Sequence, residues 1–467
     1  HSMSGIAGIV DSCGVAYPLY YALHSLQHRG QEAAGIATFH GSSVFLHKGA
    51  GQLSEVFQES ILATLPGTVG IGQVLYTQKI HRGRVENFQP MKFSFQGHSL
   101  AITVSAALTN RLPLRAEYEG KGHIFSSTTN AELIAAMIAH ELMKGASPND
   151  AFVNTMIRLE GAYAGVAILD GVLYAFRDPL GIKPLCMGST GTGYVVASES
   201  VAIDTLSGEF IRDVVPGELV RLDADGWSTH QVLKADHTAY CVFEYVYTAR
   251  PDAVIDGVLV YDVRRKIGEC LAKTPVSADL VSPVPDSGTA FATGYASASG
   301  IPYMEGLLKN RYVGRTFIMP AQSLRENAVR MKLNPIRRHI DGKSVVLVDD
   351  SIVRGTTSRR IVEMVEEFGA KAVHLRIGST PIVAPCFFGV DLPTSEELIA
   401  NGRSVEDIRA MLGADTLEFI SLDDLVKAIG IPKEDLCMAC SNGDYPLQIS
   451  GECCSVCRKI LPVAKPE

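Results

Sequence analysis

Val345-Val346-Leu347-Val348-Asp349-Asp350-Ser351-Ile352-Val353-Arg354-Gly355-Thr356-Thr357-Ser358 is the stretch whose reading decides the fold. Four consecutive apolar, mostly β-branched residues predict a strand buried on both faces, as in a parallel sheet. Two carboxylates follow at its carboxyl end, then small and hydroxyl-bearing residues. After Ser358 a helical pattern begins, carried by Ile361, Val362, Met364, Val365 and Phe368. In open α/β sheets the crevice beyond the strand ends is where ligands bind. Gly355, Thr356, Thr357 and Ser358 can offer backbone N–H groups and hydroxyls to a phosphate at a helix N-terminus. Asp349 and Asp350 would repel a phosphate but suit sugar hydroxyls and a Mg2+ ion beside it. A phosphate cradle next to an acidic, diol-binding pair describes a phosphorylated-ribose site. Asp-Asp-Ser alone would equally fit a buried strand followed by a capped helix.

A chain of 467 residues is too long for one ordinary core, so two domains are expected. Hydrophobic residues make up 46% and mean hydropathy is +0.14, which fits a soluble globular enzyme. A net charge of −8 and a pI near 5.9 argue against a nucleic-acid-binding surface. No long uncharged apolar run predicts a membrane span. His1-Ser2 before Met3 reads as an expression-tag remnant. No signal peptide is evident, and ten cysteines in such a chain suggest a reducing, cytoplasmic setting with metal or cluster chemistry.

From Ser4 to about Leu233 the sequence predicts short strands with two or three helices. Gly5–Val10 is a Gly-interrupted apolar strand, and further strand-like runs lie at Tyr163–Leu169, Leu173–Arg177 and Gly193–Ala197. Pro18–His28 and Glu132–Leu142 read as helices. The junction to the second half falls near Leu233–Tyr240, and a helix is expected through Val263–Leu271. Leu280–Thr289 then reads as a strand ending in a Gly-containing turn, Ser287-Gly288, where backbone N–H groups can approach a phosphate. Taken alone it also fits a plain strand–helix turn. Lys309-Asn310-Arg311-Tyr312-Val313-Gly314-Arg315 is basic for so acidic a chain, and such a run is commonly a solvated face. Cys437-Met438-Ala439-Cys440 has ligand spacing that serves zinc or iron–sulfur alike. Cys13, Cys186 and Cys270 are expected to be ordinary buried thiols.

The Val345–Ser358 stretch resembles the phosphoribosylpyrophosphate (PRPP) signature of type I phosphoribosyltransferases. In its full wording it resembles that of the glutamine PRPP amidotransferases. The resemblance covers essentially the whole chain. It implies an N-terminal-nucleophile-hydrolase-like αββα sandwich over residues 4–235, then a type I phosphoribosyltransferase α/β domain with an iron–sulfur-binding C-terminal segment over 236–467. Cys241-Val242-Phe243-Glu244-Tyr245-Val246-Tyr247-Thr248-Ala249-Arg250-Pro251-Asp252 is close to the family's wording, with Thr248 where Phe is usual. By position, Leu280–Thr289 is the family's pyrophosphate loop. The basic run matches its mobile loop, with Gln322, Arg325, Arg330 and Lys332 continuing the match. The resemblance implies PRPP binding by Ser287, Gly288, Ser351, Arg354, Gly355, Thr356, Thr357 and Ser358. Catalysis would involve Asp349, Asp350, Lys309, Arg311 and Tyr312, with Mg2+ at Ser287, Asp349 and Asp350. Cys241 and Cys386 stand with Cys437 and Cys440 where one subgroup places its [4Fe-4S] ligands, in a structural role. Cys453, Cys454 and Cys457 lie outside the family pattern.

The N-terminal half keeps the family's scaffold motifs: Gln27-His28-Arg29-Gly30-Gln31-Glu32, Arg177–Leu185, Ala197-Ser198-Glu199-Ser200 and Pro216-Gly217-Glu218. Its chemistry residues differ. Ser4 stands at the place of the nucleophilic cysteine, whose free α-amino group serves as base. In Gly72-Gln73-Val74-Leu75-Tyr76, Leu75 replaces the arginine that pairs with the glutamine carboxylate. Val104-Ser105-Ala106-Ala107 replaces the oxyanion-hole His-Asn-Gly-Asn. Thr129-Asn130-Ala131-Glu132 replaces Ser-Asp-Thr-Glu, so Asn130 stands where an aspartate holds the substrate amino group. Loss of one oxyanion donor costs about a hundredfold or more in rate, so the glutaminase site is expected to be inactive.

The resemblance thus implies transfer of ammonia to PRPP, giving 5-phosphoribosylamine at the start of purine synthesis. Two other readings stand beside it: a paralogue serving a different nucleophile, and a non-catalytic PRPP- or nucleotide-sensing regulator. Purine-nucleotide effectors and a homo-tetramer are further implications of the resemblance.

Overall fold

The structure, a computed structural model, describes residues 3–76, 84–310, 332–449 and 460–463. Two antiparallel sheets stack in the N-terminal half. The first runs, edge to edge, through Glu209–Asp213, Cys186–Ser189, Gly193–Ala197, Gly5–Asp11, Val69–Leu75, Ala33–His40 and Ser43–Ala50. The second runs through Gly226–Gln231, Glu218–Asp223, Val172–Arg177, Gly161–Leu169, His98–Leu108 and Met91–Phe95. Alternation along the strands separates the faces. Ile6 and Val10 point to an inter-sheet core with Ala164, Val166 and Val220, while Ala7 and Ile9 face outward. Helix Ala16–Ser25 covers the first sheet through Leu19, Ala22 and Leu23. Helices Asn130–Met143 and Pro148–Met156 cover the second. Each of the latter two starts on a hydroxyl: Thr129 accepts from Glu132 N, and Ser147 from Asp150 N with Pro148 in the first turn. The layers are α, β, β, α, as expected. The helices Arg111–Gly120 and Pro148–Met156 stand beside the two that the sequence placed, and Cys13 is exposed and Cys270 half-buried where both were expected to be buried.

The C-terminal half is built on a four-stranded parallel sheet, ordered Leu280–Pro283, Ser344–Asp349, Ala372–Ile377, Thr416–Phe419. Val345, Val346, Leu347 and Val348 are all fully buried, because helices pack on both faces. Val346 and Val348 meet Val263, Ile267, Phe291 and Tyr295 of helices Val260–Leu271 and Thr289–Ser299. Val345 and Leu347 meet Ile361, Val362 and Val365 of helix Thr356–Glu367. That helix starts three residues earlier than its apolar pattern suggests. Gly355 adopts φ +78° at its N-cap, and a Cβ there would sit 2.3 Å from Ile399 Cδ1. Only glycine turns the chain that tightly.

The two halves are interlocked. One apolar cluster runs from Ala7, Leu19 and Ile36 to Val263, Phe291 and Val348. The Ile460–Pro462 strand pairs antiparallel with Leu233–Ala235, and Tyr240–Cys241 pairs in parallel with Leu436–Cys437. Among the described residues, no helix is long and apolar enough to cross a membrane.

Candidate active site and cysteine pocket

A cavity of about 620 Å3 opens at the carboxyl ends of the parallel strands. Ser287, Asp349, Asp350, Ser351 and the whole Arg354–Ser358 turn line it, as does Lys309. Gly288 sits just behind. A Cβ on Gly288 would lie 2.1 Å from Val348 O, so the turn can press against the neighbouring strand only as glycine. Arg311 and Tyr312 lie outside the described residues, with most of the basic run; Lys332 lines the cavity.

The floor of the cleft is acidic and tightly held. Ser287 Oγ donates to Asp349 Oδ1 at 3.2 Å, Asp350 N donates to the same oxygen at 2.9 Å, and Ser351 Oγ donates to Asp350 Oδ1 at 2.5 Å. Burial, and then the neighbouring Asp350 carboxylate, raises Asp349 well above the usual carboxylate range. Burial also raises Asp350, against the pull of the Ser351 and Ser287 hydroxyls and Arg264. Two like charges held this close favour a cation between them. The rim carries loosely held cations: Lys309 pairs with Asp286 at 2.6 Å and Arg354 with Glu397 at 3.3 Å, all four side chains well exposed. Such pairs are weak and exchange readily for a phosphate.

The opposite wall comes from the N-terminal half, through Met3, His28, Arg29, Gly30 and Tyr76. Tyr76 Oη reaches across to Asp391 Oδ2 at 2.6 Å. Arg29, fully buried, joins the halves. It donates to Glu199 Oε1 and forks onto Glu244 with bonds of 3.2 and 2.5 Å. His28 Nε2 meets Glu199 at 2.6 Å, and Arg250 N donates to the other Glu199 oxygen. Arg177 forks onto Asp256 at 2.8 and 2.9 Å, and Ser200 Oγ accepts from Val254 N. The motifs retained in the N-terminal half thus supply its docking contacts. Sequence reasoning missed these partners because they lie many tens to hundreds of positions apart. The available signal was a charged residue inside an apolar run, as at Glu244.

The four cysteines singled out by position line one small pocket. The Tyr240–Cys241 and Leu436–Cys437 pairing sets Cys241 and Cys437 side by side. Val383 N and Ala384 N donate to Cys440 O, which draws the Cys386 loop against the Cys437–Cys440 turn. Phe388 N donates to Cys386 Sγ at 3.3 Å. Burial pushes the Cys440 thiol up to about 12, with Cys386 adding to it, and burial raises Cys241 as well. Among the described residues no three His, Cys, Asp or Glu side chains stand close enough to hold a single metal ion. The donor set is all sulfur around one pocket, which fits a multinuclear cluster better than a lone ion. Cys453, Cys454 and Cys457 lie outside the described residues.

The altered positions of the N-terminal half are filled rather than vacant. Leu75 packs with Ala33 and Phe88 in an apolar cluster. Ser4, Ser105 and Ala106 are buried. Asn130 Nδ2 donates to Ala106 O at 2.9 Å, and Gln73 Nε2 to Val104 O at 3.0 Å.

Residues 78–205 match the glutamine amidotransferase domain model and residues 258–379 the phosphoribosyl transferase domain model. The chain is 48% identical to the amidophosphoribosyltransferase of Methanothermobacter thermautotrophicus, across 96% of this chain and 95% of that protein. It is 47% identical to that of Methanocaldococcus jannaschii, across 96% and 99%. The solved glutamine PRPP amidotransferase of B. subtilis, complexed with ADP and GMP, superposes with a TM-score of 0.89 at 44% identity, covering 95% of this chain and 98% of that one. With this fold, this cleft and these relatives, the chain belongs to the amidophosphoribosyltransferase family, the phosphoribosyltransferases of purine biosynthesis.

Proposed function

We propose that the chain makes 5-phosphoribosylamine from PRPP and ammonia, without hydrolysing glutamine itself. Residues 4–235 form the glutaminase-like unit and 236–467 the transferase unit. PRPP lies in the cleft with its 5-phosphate on the Gly355–Ser358 turn and helix N-terminus. Its ribose hydroxyls face Asp349 and Asp350, and its diphosphate faces Ser287, Gly288 and Lys309, with Arg311 and Tyr312 from the basic loop. The ammonia lone pair forms the C1–N bond as the C1–O bond breaks. The electron pair leaves on pyrophosphate, and the nitrogen then sheds a proton. Ser287, Asp349 and Asp350 would hold Mg2+, which when bound neutralises charge on the diphosphate. Cys241, Cys386, Cys437 and Cys440 would hold a [4Fe-4S] cluster as a cross-link between the segment after Leu436 and the transferase core. Purine-nucleotide effectors, as in the ADP- and GMP-bound relative, and a tetramer belong to the same reading.

One observation carries the exclusion of glutamine. The carboxylate-clamp position is Leu75, 3% exposed and packed against Ala33 and Phe88. An Arg–carboxylate pair is a strong bidentate contact, and an apolar cluster offers nothing in its place. The test compares glutamate release from glutamine with pyrophosphate release on ammonium, both with PRPP and Mg2+, on protein trimmed to begin at Ser4. Pyrophosphate with ammonium and no glutamate above blank is expected. Glutamate formed in step with pyrophosphate would make Ser4 a working nucleophile and end this reading.

A further inference from the structure

His28 sits on the short turn Gln27–Arg29, in the N-terminal wall of the cleft whose floor carries Asp349 and Asp350. A cavity of about 620 Å3 has the size of a pocket for one small ligand, so wall and floor face the same bound molecule. The turn is pinned. Gln27 Oε1 accepts from Leu53 N at 2.9 Å, and a Cβ on Gly30 would lie 2.5 Å from Val74 O, so the chain presses against the Val69–Leu75 strand. His28 Nε2 meets Glu199 Oε1 at 2.6 Å. Burial would raise the Glu199 carboxyl, but Arg29 and then His28 hold it down to about 2. It is therefore a carboxylate, which can only accept. Nε2 then carries the ring proton, and Nδ1 keeps a lone pair. Among the described residues Nδ1 has no hydrogen-bond partner. The His28 side chain is 27% exposed while that of Glu199 is fully buried, so the ring can be reached from the cleft.

We infer that His28 is the general base of the amination, its Nδ1 taking the proton that the attacking nitrogen sheds. This rests on the reading of PRPP and ammonia as substrates. The nitrogen lone pair forms the C1–N bond while the C1–O pair leaves on pyrophosphate. Nδ1 takes one N–H proton, and the electron pair of that bond returns to nitrogen. The products are 5-phosphoribosylamine, pyrophosphate and an imidazolium, which faces the Glu199 carboxylate until its proton passes to solvent. The other polar groups of the wall are otherwise engaged. Lys309, Lys332 and Arg354 are cations that can only donate. Asp349 and Asp350 face the ribose hydroxyls, and Asp391 accepts from Tyr76 Oη. His28 offers an uncommitted lone pair on a group whose proton affinity suits neutral pH. Catalysis at the transferase site then draws on a residue of the glutaminase-like half, whether or not that half hydrolyses glutamine.

The test measures steady-state pyrophosphate release by the full-length chain with PRPP, Mg2+ and ammonium chloride. His28→Gln keeps an N–H for Glu199 but has no basic nitrogen. Its kcat is expected to fall about a hundredfold or more, with the KM for PRPP little changed. His28→Ala opens a space on the cleft wall, and added imidazole is expected to restore part of its turnover, a response that a purely structural histidine would not give. Wild-type protein that releases no pyrophosphate with ammonium would remove the amination reading itself. With wild type active, His28→Gln at the wild-type kcat would overturn only the role of His28, as would a raised KM for PRPP at unchanged kcat. If His28→Gln fails to fold, His28→Ala decides: turnover that rises with imidazole supports the inference, and turnover that imidazole leaves unchanged overturns it.

Discussion

Glu244→Gln should loosen the junction between the two halves by an amount that can be worked out beforehand. Arg29 and Glu244 have side-chain exposures of 2% and 6%, so water repays little of what the pair loses. Burial works against the Arg29 charge, yet Glu199 and Glu244 more than offset it and its pKa stands above the ordinary value. The same arginine, with His28, holds Glu199 down to about 2 against the effect of burial. Removing one partner of a buried pair costs about 3–5 kcal/mol. Here Glu199 remains and glutamine keeps an acceptor, so the expected loss is near the lower bound, about 3 kcal/mol. The unfolding entropy for a chain of 467 residues is roughly 1 kcal/mol per kelvin if it unfolds cooperatively. The midpoint should then fall about 3 °C, and further if the halves melt separately. Thermal and urea unfolding would be followed by circular dichroism in low and high salt. The loss should persist in high salt, because a buried pair is barely screened. A change under about 0.5 kcal/mol, or one that vanishes with salt, would refute the buried-pair reasoning. Replacing Arg29 and Glu244 together by methionine should cost more than Glu244→Gln alone, because it also strands the buried Glu199 carboxylate.

The acidic floor gives a pH-dependent outcome. Asp349 and Asp350 have folded-state pKa values raised above their unfolded ones, so the stability linked to them is present at acid pH and lost as pH rises through the raised values. Without Mg2+, Asp349→Asn should therefore melt higher than wild type at pH 7.5, with the gap closing toward pH 4; a lower melting temperature at pH 7.5 would contradict this. Asp350→Asn should sharply weaken PRPP binding by calorimetry while the fold stays intact, and wild-type affinity would remove Asp350 from the site. Leu75→Arg should not restore glutamate release and should cost several kcal/mol in urea unfolding, because it forces a charge into the Ala33–Phe88 cluster. Lys309→Ala should leave stability within about 1 kcal/mol, its partner Asp286 being exposed, while reducing turnover with PRPP; unchanged turnover would place Lys309 outside the reaction.

The fold was legible where local pattern and tertiary demand coincide. Val345–Val348 reads as a doubly buried strand, and the small residues after Asp350 read as a turn into a helix. The helix start was misplaced because Thr356 and Thr357 show no apolar periodicity; the left-handed Gly355 sets the boundary instead. Resemblance marked the four cysteines, and pairing in space brings them together. The N-terminal wall of the cleft and the Arg29–Glu244 and Arg177–Asp256 locks were not legible. Each joins residues whose separation in sequence carries no local signal. Their motifs hold the halves together, a structural demand separate from glutamine chemistry.

The pairing of Leu233–Ala235 with Ile460–Pro462 bears on how the molecule is made. During vectorial synthesis the strand at Leu233 emerges from the ribosome long before its partner, with some 200 residues still to be translated. Cys241 waits almost as long for the strand that brings Cys437 beside it. Closing so long a loop costs only about 0.6 kcal/mol more for each doubling of its length, so the delay is a matter of time rather than equilibrium. Until then the nascent chain carries an unpaired strand edge and a thiol without its neighbours. The last strand pairing is then a late event, and the growing chain is most open to aggregation and oxidation just before it is complete.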